Sequence, residues 1–227
     1  MKSMMKRTTL REIKNSFGRF CAILAIVALG VGFFTGLKIT KTAMVSTVDG
    51  YWKEMNFYDF RLLSTLGFDD EDVEAFAEEE QVRTAAGAYT FDILCTGIGE
   101  NEEVLKAHSI TEGVNGIRLR AGRLPEGPDE CVVDAKILGE EGLGGVIQLS
   151  QTNEEDTRKA FKVEEFTIVG LVDSSFYLNF ERGTTSLGNG KVAGFLYLQP
   201  EAFDVDYYTE VFIKFNQDYN IYSQEYQ

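Results

Sequence analysis

Residues 20–37 read FCAILAIVALGVGFFTGL, 18 consecutive residues without a charged side chain. As an α-helix this stretch would extend about 27 Å, close to the hydrocarbon thickness of a bilayer, which is about 30 Å. A cleaved signal peptide is the competing interpretation, but the apolar region of such a peptide is usually only about 7–15 residues long. No small-x-small cleavage site follows the stretch convincingly. The sequence therefore predicts that residues 20–41 form an uncleaved transmembrane helix and its exit from the membrane.

Charge is distributed unevenly on the two sides of this stretch. Residues 1–41 carry eight basic residues and one acidic residue, whereas the rest of the chain carries 14 basic and 35 acidic residues, a net charge of −21. Basic flanks are retained in the cytoplasm, so residues 1–19 are predicted to be cytoplasmic and residues 42–227 extracytoplasmic, in a cell-membrane protein that crosses once. The acidic part would repel nucleic-acid phosphates, which argues against nucleic acid as a partner.

Two local patterns concern the membrane part. The leader, residues 1–19, combines a capping box at residues 9–12 with apolar residues at helical spacing, typical of a basic amphipathic helix on the cytoplasmic surface; a frayed leader is the alternative. Within the span, Ala28, Gly32 and Gly36 recur every four residues and would let another membrane helix approach closely. Small residues are also common in membrane helices generally. This face is therefore either a packing surface for another membrane helix or simply ordinary membrane-helix composition, and the sequence leaves both interpretations open.

The external residues, 42–227, are long enough for one large domain or two small subdomains. A short helix is predicted from about Asp70 to Glu80, with Asp69 as its N-cap, and many short strands are predicted around it. One early helix followed by strands predicts a mixed, mostly antiparallel α+β fold rather than a parallel α/β sheet. The predicted strands are residues 56–64, 82–96, 104–110, 130–134, 146–150, 161–172, 192–198 and 210–215.

Three segments rich in glycine or proline mark the predicted joints between these strands. Residues 122–128 (GRLPEGP) contain two of the three prolines, and residues 139–145 contain four glycines. Residues 182–191 form a longer segment of small residues. We expect this third segment to be a mobile loop, marked by Arg182, Gly183, Gly188 and Gly190.

Five sets of residues occur in a characteristic order along the chain. They are the apolar span, DFRLLSTLGF at residues 59–68, Gly122, Arg123, Leu124 and Pro125 followed by Glu130 and Asp134, FTIVGLV at residues 166–172, and the loop at residues 182–190. In this order they resemble the N-terminal part of FtsX-like ABC transporter permeases, over nearly the whole chain. The resemblance implies a first transmembrane helix, an extracytoplasmic MacB-like core domain, and two partners: a separate cytoplasmic ABC ATPase subunit and other permease transmembrane helices. Family members continue into three further membrane helices, so the sequence is interpreted as the N-terminal portion of a permease with an incomplete core domain.

No residue pattern indicates a catalytic, cofactor or metal site. The phosphate-binding pattern GxxxxGK[ST] does not occur, so ATP hydrolysis is expected from another chain. The acidic run at residues 69–72 fails the EF-hand spacing, and His108, the single histidine, cannot form a zinc site with two histidines. We therefore expect no enzymatic activity, no cofactor and no metal. Cys95 and Cys131 could form a disulfide or remain free thiols.

Two functions follow from these observations. The first is a permease subunit that couples ATP hydrolysis by a separate ATPase to movement of an extracellular domain. The alternative is a signal-anchored extracellular binding or sensor domain that acts without an ATPase. The small-residue face of the span and the basic leader favour the first, since only a permease needs helix partners. The sequence does not indicate the substrate.

Overall fold

A computed structural model describes residue 11 and residues 16–99 and 101–217. The predicted capping box and most of the amphipathic leader lie outside these described residues. The chain forms two units, residues 1–50 and residues 51–227. The described residues of the second unit form two sheets and two short α-helices, which confirms the predicted α+β class.

The first long element, α1 (Phe17–Glu54), is a single helix of 38 residues, none of them buried. Among the described residues, α1 is the one helix long and apolar enough to cross a membrane. It continues past residue 41, where the exit from the membrane was predicted, because its second half lacks proline and satisfies its polar side chains locally. The hydroxyls of Thr40 and Thr47 donate to the carbonyls of Gly36 and Ala43, each at 2.8 Å. At about 1.5 Å per residue the helix is about 57 Å long, about twice the bilayer core.

The second helix, α2 (Asp70–Ala77), begins where the sequence predicts it. Asp69 and Asp72 form a reciprocal capping box, with Asp72 N donating to Asp69 Oδ1 at 2.9 Å and Asp69 N donating to Asp72 Oδ2 at 3.1 Å. The two carboxylates thus accept hydrogen bonds from backbone N–H groups, and their negative charges interact favourably with the positive end of the helix dipole. This confirms Asp69 as the N-cap, although the helix ends three residues before the predicted Glu80.

The chain outside α1 and α2 builds two sheets. A three-stranded antiparallel sheet has the order β1-β10-β2, and a seven-stranded sheet has the order β5-β8-β6-β9-β4-β3-β7. The strands are β1 (Phe60–Phe68), β2 (Val82–Ala88), β3 (Thr90–Thr96), β4 (Glu103–Ser109), β5 (Ile117–Gly122), β6 (Glu130–Asp134), β7 (Val146–Leu149), β8 (Glu165–Ser174), β9 (Gly194–Leu198) and β10 (Tyr208–Phe215), with a short helix α3 (Glu155–Lys159) before β8 and 3₁₀ turns at Glu140–Gly142 and Pro200–Ala202.

The larger sheet closes on itself because β7 pairs with β8 as well as with β3. Strands β8, β6, β9, β4, β3 and β7 therefore form a small barrel, with parallel pairs at β4–β9 and β6–β8. Alternate residues of each strand fill its interior, as the pleat requires: Leu105 and Leu196 belong to the main core cluster. Cys95 and Cys131 lie in the same cluster as free thiols, which decides between the two alternatives left open by the sequence.

Several of the predicted strand boundaries were wrong. The predicted strand at residues 82–96 is two strands in two sheets, because the chain leaves the small sheet at Tyr89 and enters the barrel. Strand β1 begins at Phe60 rather than residue 56, since Asn56 turns the chain with a positive φ of 48°. It then ends at Phe68 rather than at residue 64, directly before the N-cap Asp69. Strand β5 and helix α3 were not predicted.

Candidate functional site

The last turn of α1, residues 51–54, is fixed by contacts within the second unit. The ring of Trp52 stacks on Phe57 with centroids 5.0 Å apart and planes 9° apart, and its Nε1 donates to the carbonyl of Ser175 at 3.3 Å. Glu54 forms an ion pair with Arg118 of β5 at 2.7 Å. The guanidinium of Arg118 also lies 5.1 Å from the ring centroid of Tyr51. The helix end is thereby joined to β5 and to the segment that follows β8.

The turn that leaves α1 is held by backbone hydrogen bonds. Gly116 N donates to the carbonyl of the buried Met55 at 2.7 Å, and Asn115 N donates to the carbonyl of Asn56 at 3.1 Å. Tyr58 N donates to Asn115 Oδ1 at 3.1 Å. Asn115 has a positive φ of 55°, a conformation that Asn tolerates better than most residues. These contacts fix the direction in which the chain enters β1.

Four aromatic residues next to this turn connect the helix end with β10. We name Phe57, Tyr58, Phe176 and Phe212 the junction aromatics. The ring of Phe57 lies 4.4 Å from Tyr58 and 5.9 Å from Phe176, and Phe212 of β10 lies 5.1 Å from Tyr58. Together they line one side of a cavity of about 230 Å³. The rings thus form a continuous set of packed contacts from Trp52 to the small sheet.

A chain of buried hydrogen bonds runs beside these rings. Glu210 of β10, which is 1% exposed, accepts hydrogen bonds from Thr90 Oγ1 and from Arg61 Nε. His108 Nδ1 lies 3.0 Å from Thr90 Oγ1, and His108 Nε2 lies 2.8 Å from the hydroxyl of Tyr177. Since the hydroxyl of Thr90 donates to the carboxylate, His108 Nδ1 must donate to Thr90 and Tyr177 must donate to His108 Nε2. This series of hydrogen bonds links β10, β3, β4 and the segment after β8, and every donor in it points towards Glu210.

Burial keeps this hydrogen-bond chain neutral at its centre. Desolvation lowers the pKa of His108 from 6.5 to about 3, helped by the positive charges of Lys106 and Arg61. Desolvation also raises the pKa of Tyr177 well above its usual value of 10.0. A neutral imidazole with one donating and one accepting nitrogen fits the directions given above. The prediction that His108 is a strand residue is confirmed, and the structure places it on the outer face of the barrel next to the cavity.

The predicted motif residues Gly122, Arg123 and Glu130 form one locked loop. Gly122 has a φ of 76°, and a Cβ atom there would lie 2.2 Å from the carbonyl oxygen of Val169. Arg123 donates hydrogen bonds from both Nη atoms to the carboxylate of Glu130, with Nη1 at 2.6 Å from Oε2. The hydrogen bonds from Arg123 lower the pKa of Glu130 from 4.5 to about 2. The neighbouring residues complete the loop: Leu124 O accepts from Arg123, Pro125 O accepts from Gln199, and Glu126 N donates to Glu130 at 2.8 Å.

The motif residue Asp134 pairs with the first residue of the loop that was predicted to be mobile. The side chains of Asp134 and Arg182 are 1% and 3% exposed, and two guanidinium nitrogens contact the carboxylate, with Nη2 at 3.1 Å from Oδ1. The guanidinium also lies 5.5 Å from the ring centroids of both Tyr177 and Phe195. Arg182 thus anchors the start of the loop, while the mobility of Gly183, Gly188 and Gly190 stays a prediction.

The predicted packing residues of the span, Ala28, Gly32 and Gly36, lie on one face of α1, since successive residues are rotated by about 100°. An added Cβ atom at Gly32 or Gly36 would meet nothing within 4 Å. The packing of this chain therefore does not itself require glycine there. The same face continues along the helix as Ala43, Ser46 and Gly50.

Sequence reasoning missed the residues that fix residues 51–54 and the hydrogen-bond chain within the second unit. Trp52 is the single tryptophan of the sequence and follows the apolar run by 15 residues, a signal that could have marked the helix end. Arg118, Thr90 and Glu210 gave no comparable signal, because their partners are distant in sequence. Among the described residues, no cluster of three or more His, Cys, Asp or Glu side chains could hold a metal ion.

The chain is similar to known proteins in its structure but not detectably in its sequence. No protein-family profile and no curated protein matches the chain. The structure is similar to the extracellular domain of the noncanonic ABC-type transporter YknZ from Gram-positive bacteria, with a TM-score of 0.43 and 13% identity, over 71% of this chain and 82% of that one. It is also similar to the periplasmic region of MacB from Actinobacillus actinomycetemcomitans, with a TM-score of 0.42 and 13% identity, over 70% of this chain and 68% of that one.

Proposed function

We propose that this chain is the N-terminal portion of an ABC transporter permease subunit, in which a membrane helix moves an extracytoplasmic domain. The energy comes from ATP hydrolysis by a separate cytoplasmic ATPase. The observation that carries the proposal is the continuity of α1: one unbroken helix contains the apolar run and ends at a junction fixed by Trp52, Glu54 and Met55. The motif resemblance described in the sequence analysis supports the same assignment.

The length of α1 suits a mechanical link. The apolar residues 20–37 would cross the membrane, and residues 38–54 would continue for about another 25 Å as the same helix. An α-helix without proline transmits displacement along its axis, because its backbone hydrogen bonds are continuous. At its end, the stacked ring of Trp52 and the ion pair of Glu54 would pass that displacement to β5 and to the junction aromatics.

The junction contains two buried polar atoms that lack a hydrogen-bond partner in the described part of this structure. The Nδ2 atom of Asn115 and the Oγ atom of Ser175 are buried without a protein hydrogen-bond partner among the described residues. Both residues contact the helix end or the turn after it. An unpaired buried polar group costs about 1–3 kcal/mol. In this proposal, movement of the joint would let these two atoms find partners and recover part of that cost.

The small-residue face of α1 supplies the surface on which a partner helix would pack. Ala28, Gly32 and Gly36 are four residues apart, so their face allows a close backbone approach that larger side chains prevent. The excess of basic residues before the span places the N-terminus, in this proposal, in the cytoplasm beside the ATPase. The external domain then lies on the opposite side of the membrane.

The test is co-purification from native membranes with a tagged full-length chain. We expect a protein with a GxxxxGK[ST] loop and at least one further membrane protein to co-purify in stoichiometric amounts. Gly32→Leu combined with Gly36→Leu should abolish co-purification but not membrane insertion, since leucine is apolar but holds helices apart. Gly30→Leu is the matched control, because Gly30 lies about 200° around the helix from Gly32 and also has nothing within 4 Å of an added Cβ.

Two outcomes would refute the permease assignment. One is purification of the wild-type chain without any ATPase. The other is equal recovery of partners with the Gly32→Leu, Gly36→Leu chain and with the Gly30→Leu chain. Either result would favour the signal-anchored binding or sensor domain.

A further inference from the structure

The cavity beside the junction aromatics has the size of a small ring. Its volume is about 230 Å³, and it lies between the small sheet and the outer face of the barrel. A cavity of about 150 Å³ is enough to hold benzene in a folded protein. The junction aromatics form its apolar wall, and its polar lining consists of Arg61, Lys106, His108, Tyr177, Arg182 and Glu210.

The cavity lining offers hydrogen-bond donors that have no partner in the described chain, whereas the oxygens of its carboxylate already accept hydrogen bonds. Arg61 donates through Nε to Glu210, whereas its two Nη atoms make no hydrogen bond to any described residue, and its side chain is 41% exposed. The Tyr58 hydroxyl also has no hydrogen-bond partner in the described part of the chain. Each oxygen of Glu210 already accepts a hydrogen bond. Such a cavity accommodates a ligand that brings acceptors.

The free fork of Arg61, rather than an excess of positive charge, is what suits the cavity to one carboxylate. Arg61, Lys106 and Arg182 face a single lining carboxylate, Glu210. Lys106 pairs with Asp92 and Arg182 pairs with Asp134, so the surroundings are balanced rather than strongly positive. A ligand with two negative charges would be repelled by the nearby Glu210, whereas one carboxylate matches the free fork of one guanidinium.

We propose that this cavity binds a small molecule with one aromatic ring and one carboxylate. The ring lies against the junction aromatics, and the carboxylate accepts hydrogen bonds from the two Nη atoms of Arg61. This site does not depend on the proposed permease function, since an anchored sensor could use it equally. The ligand would touch Phe57, on which Trp52 stacks, so binding also reaches the end of α1.

The experiment uses the full chain in lipid nanodiscs and benzoate as the probe. Trp52 is the single tryptophan, so its fluorescence reports on Phe57 at the cavity wall. We expect a saturable fluorescence change with benzoate. Benzyl alcohol, which keeps the ring, and acetate, which keeps the carboxylate, should each bind at least about tenfold more weakly. This comparison needs no variant and therefore does not depend on how well a variant folds.

Variants then locate the site. Arg61→Gln should weaken benzoate binding at least about tenfold, and Arg61→Lys, which keeps the charge next to Glu210 but loses the planar fork, should weaken it severalfold. Arg120→Gln removes an exposed arginine paired with Asp173 outside the cavity and should leave binding unchanged. The proposal is overturned if benzoate produces no saturable change, if benzyl alcohol or acetate binds equally well, or if Arg61→Gln and Arg120→Gln behave alike.

Discussion

The buried pair of Arg182 and Asp134 gives the largest single effect on stability that we expect in this chain. Arg182→Met removes the guanidinium and leaves Asp134, only 1% exposed in its side chain, without its counter-ion. Breaking a buried ion pair by removing one partner typically costs about 3–5 kcal/mol. For a domain of this size, each kcal/mol lowers the melting temperature by about 2–4 °C, so a decrease of about 6–20 °C is expected.

A matched control and a double variant separate charge burial from packing. Lys159→Met removes one partner of an exposed pair with Glu155, in which both side chains are 69% exposed, and should change the melting temperature by less than about 2 °C. Arg182→Met combined with Asp134→Leu replaces both charges by apolar groups and should recover most of the loss. Thermal unfolding of the full chain, followed by near-ultraviolet circular dichroism, measures all three. The reasoning is refuted if Arg182→Met is no more destabilising than Lys159→Met.

Three further results are expected. The imidazole of His108 should not titrate between pH 8 and pH 5 in NMR spectra, and titration near pH 6.5 would contradict this. Because its pKa is about 3 in the folded state and about 6.5 in the unfolded state, its contribution to stability is complete above pH 6.5 and is lost as the pH falls towards 3. Arg123→Gln should return the pKa of Glu130 from about 2 towards 4.5, measurable by carboxyl NMR, whereas an unchanged value would assign the shift to another cause. Trp52→Phe should lower the free energy of unfolding by about 1 kcal/mol, because it loses the hydrogen bond to Ser175, and Trp52→Ala should lower it by about 0.5–1.5 kcal/mol more, because it also loses the ring stack. Thermal unfolding measures both values, and equal stability of the two variants would show that the stack is not needed.

Local signals in the sequence were sufficient for some elements of the fold. The apolar run at residues 20–37 predicted α1, since length and composition alone decide that helix. Strand β6, Glu130–Asp134, has the predicted bounds, and Asp69 caps α2 through a contact only three residues away. In each case the deciding interaction lies within one element or its flank.

Other features depend on contacts between distant residues and could not be predicted. Strand β5 is not one of them: Ile117, Leu119 and Ala121 alternate with two arginines, a local strand pattern that the prediction missed. Asp134 and Arg182 were both singled out, but 48 residues separate them, and only the fold shows that they form a pair. The cavity requires β1, β4 and β10 to meet, which no local pattern encodes.

The central claim, that α1 moves in response to ATP hydrolysis by a partner, is tested most directly by cysteine labelling in intact cells. Ser46→Cys lies on the small-residue face of α1, and Met44→Cys lies about 200° around the helix from it. Cys21→Ala serves as the background for both, because Cys95 and Cys131 are buried. With an impermeant maleimide, we predict that Ser46→Cys is labelled from outside at a rate that changes when cellular ATP is depleted, while the rate at Met44→Cys stays constant. Labelling of Ser46→Cys at the same rate with and without ATP, or only after lysis, would contradict the claim.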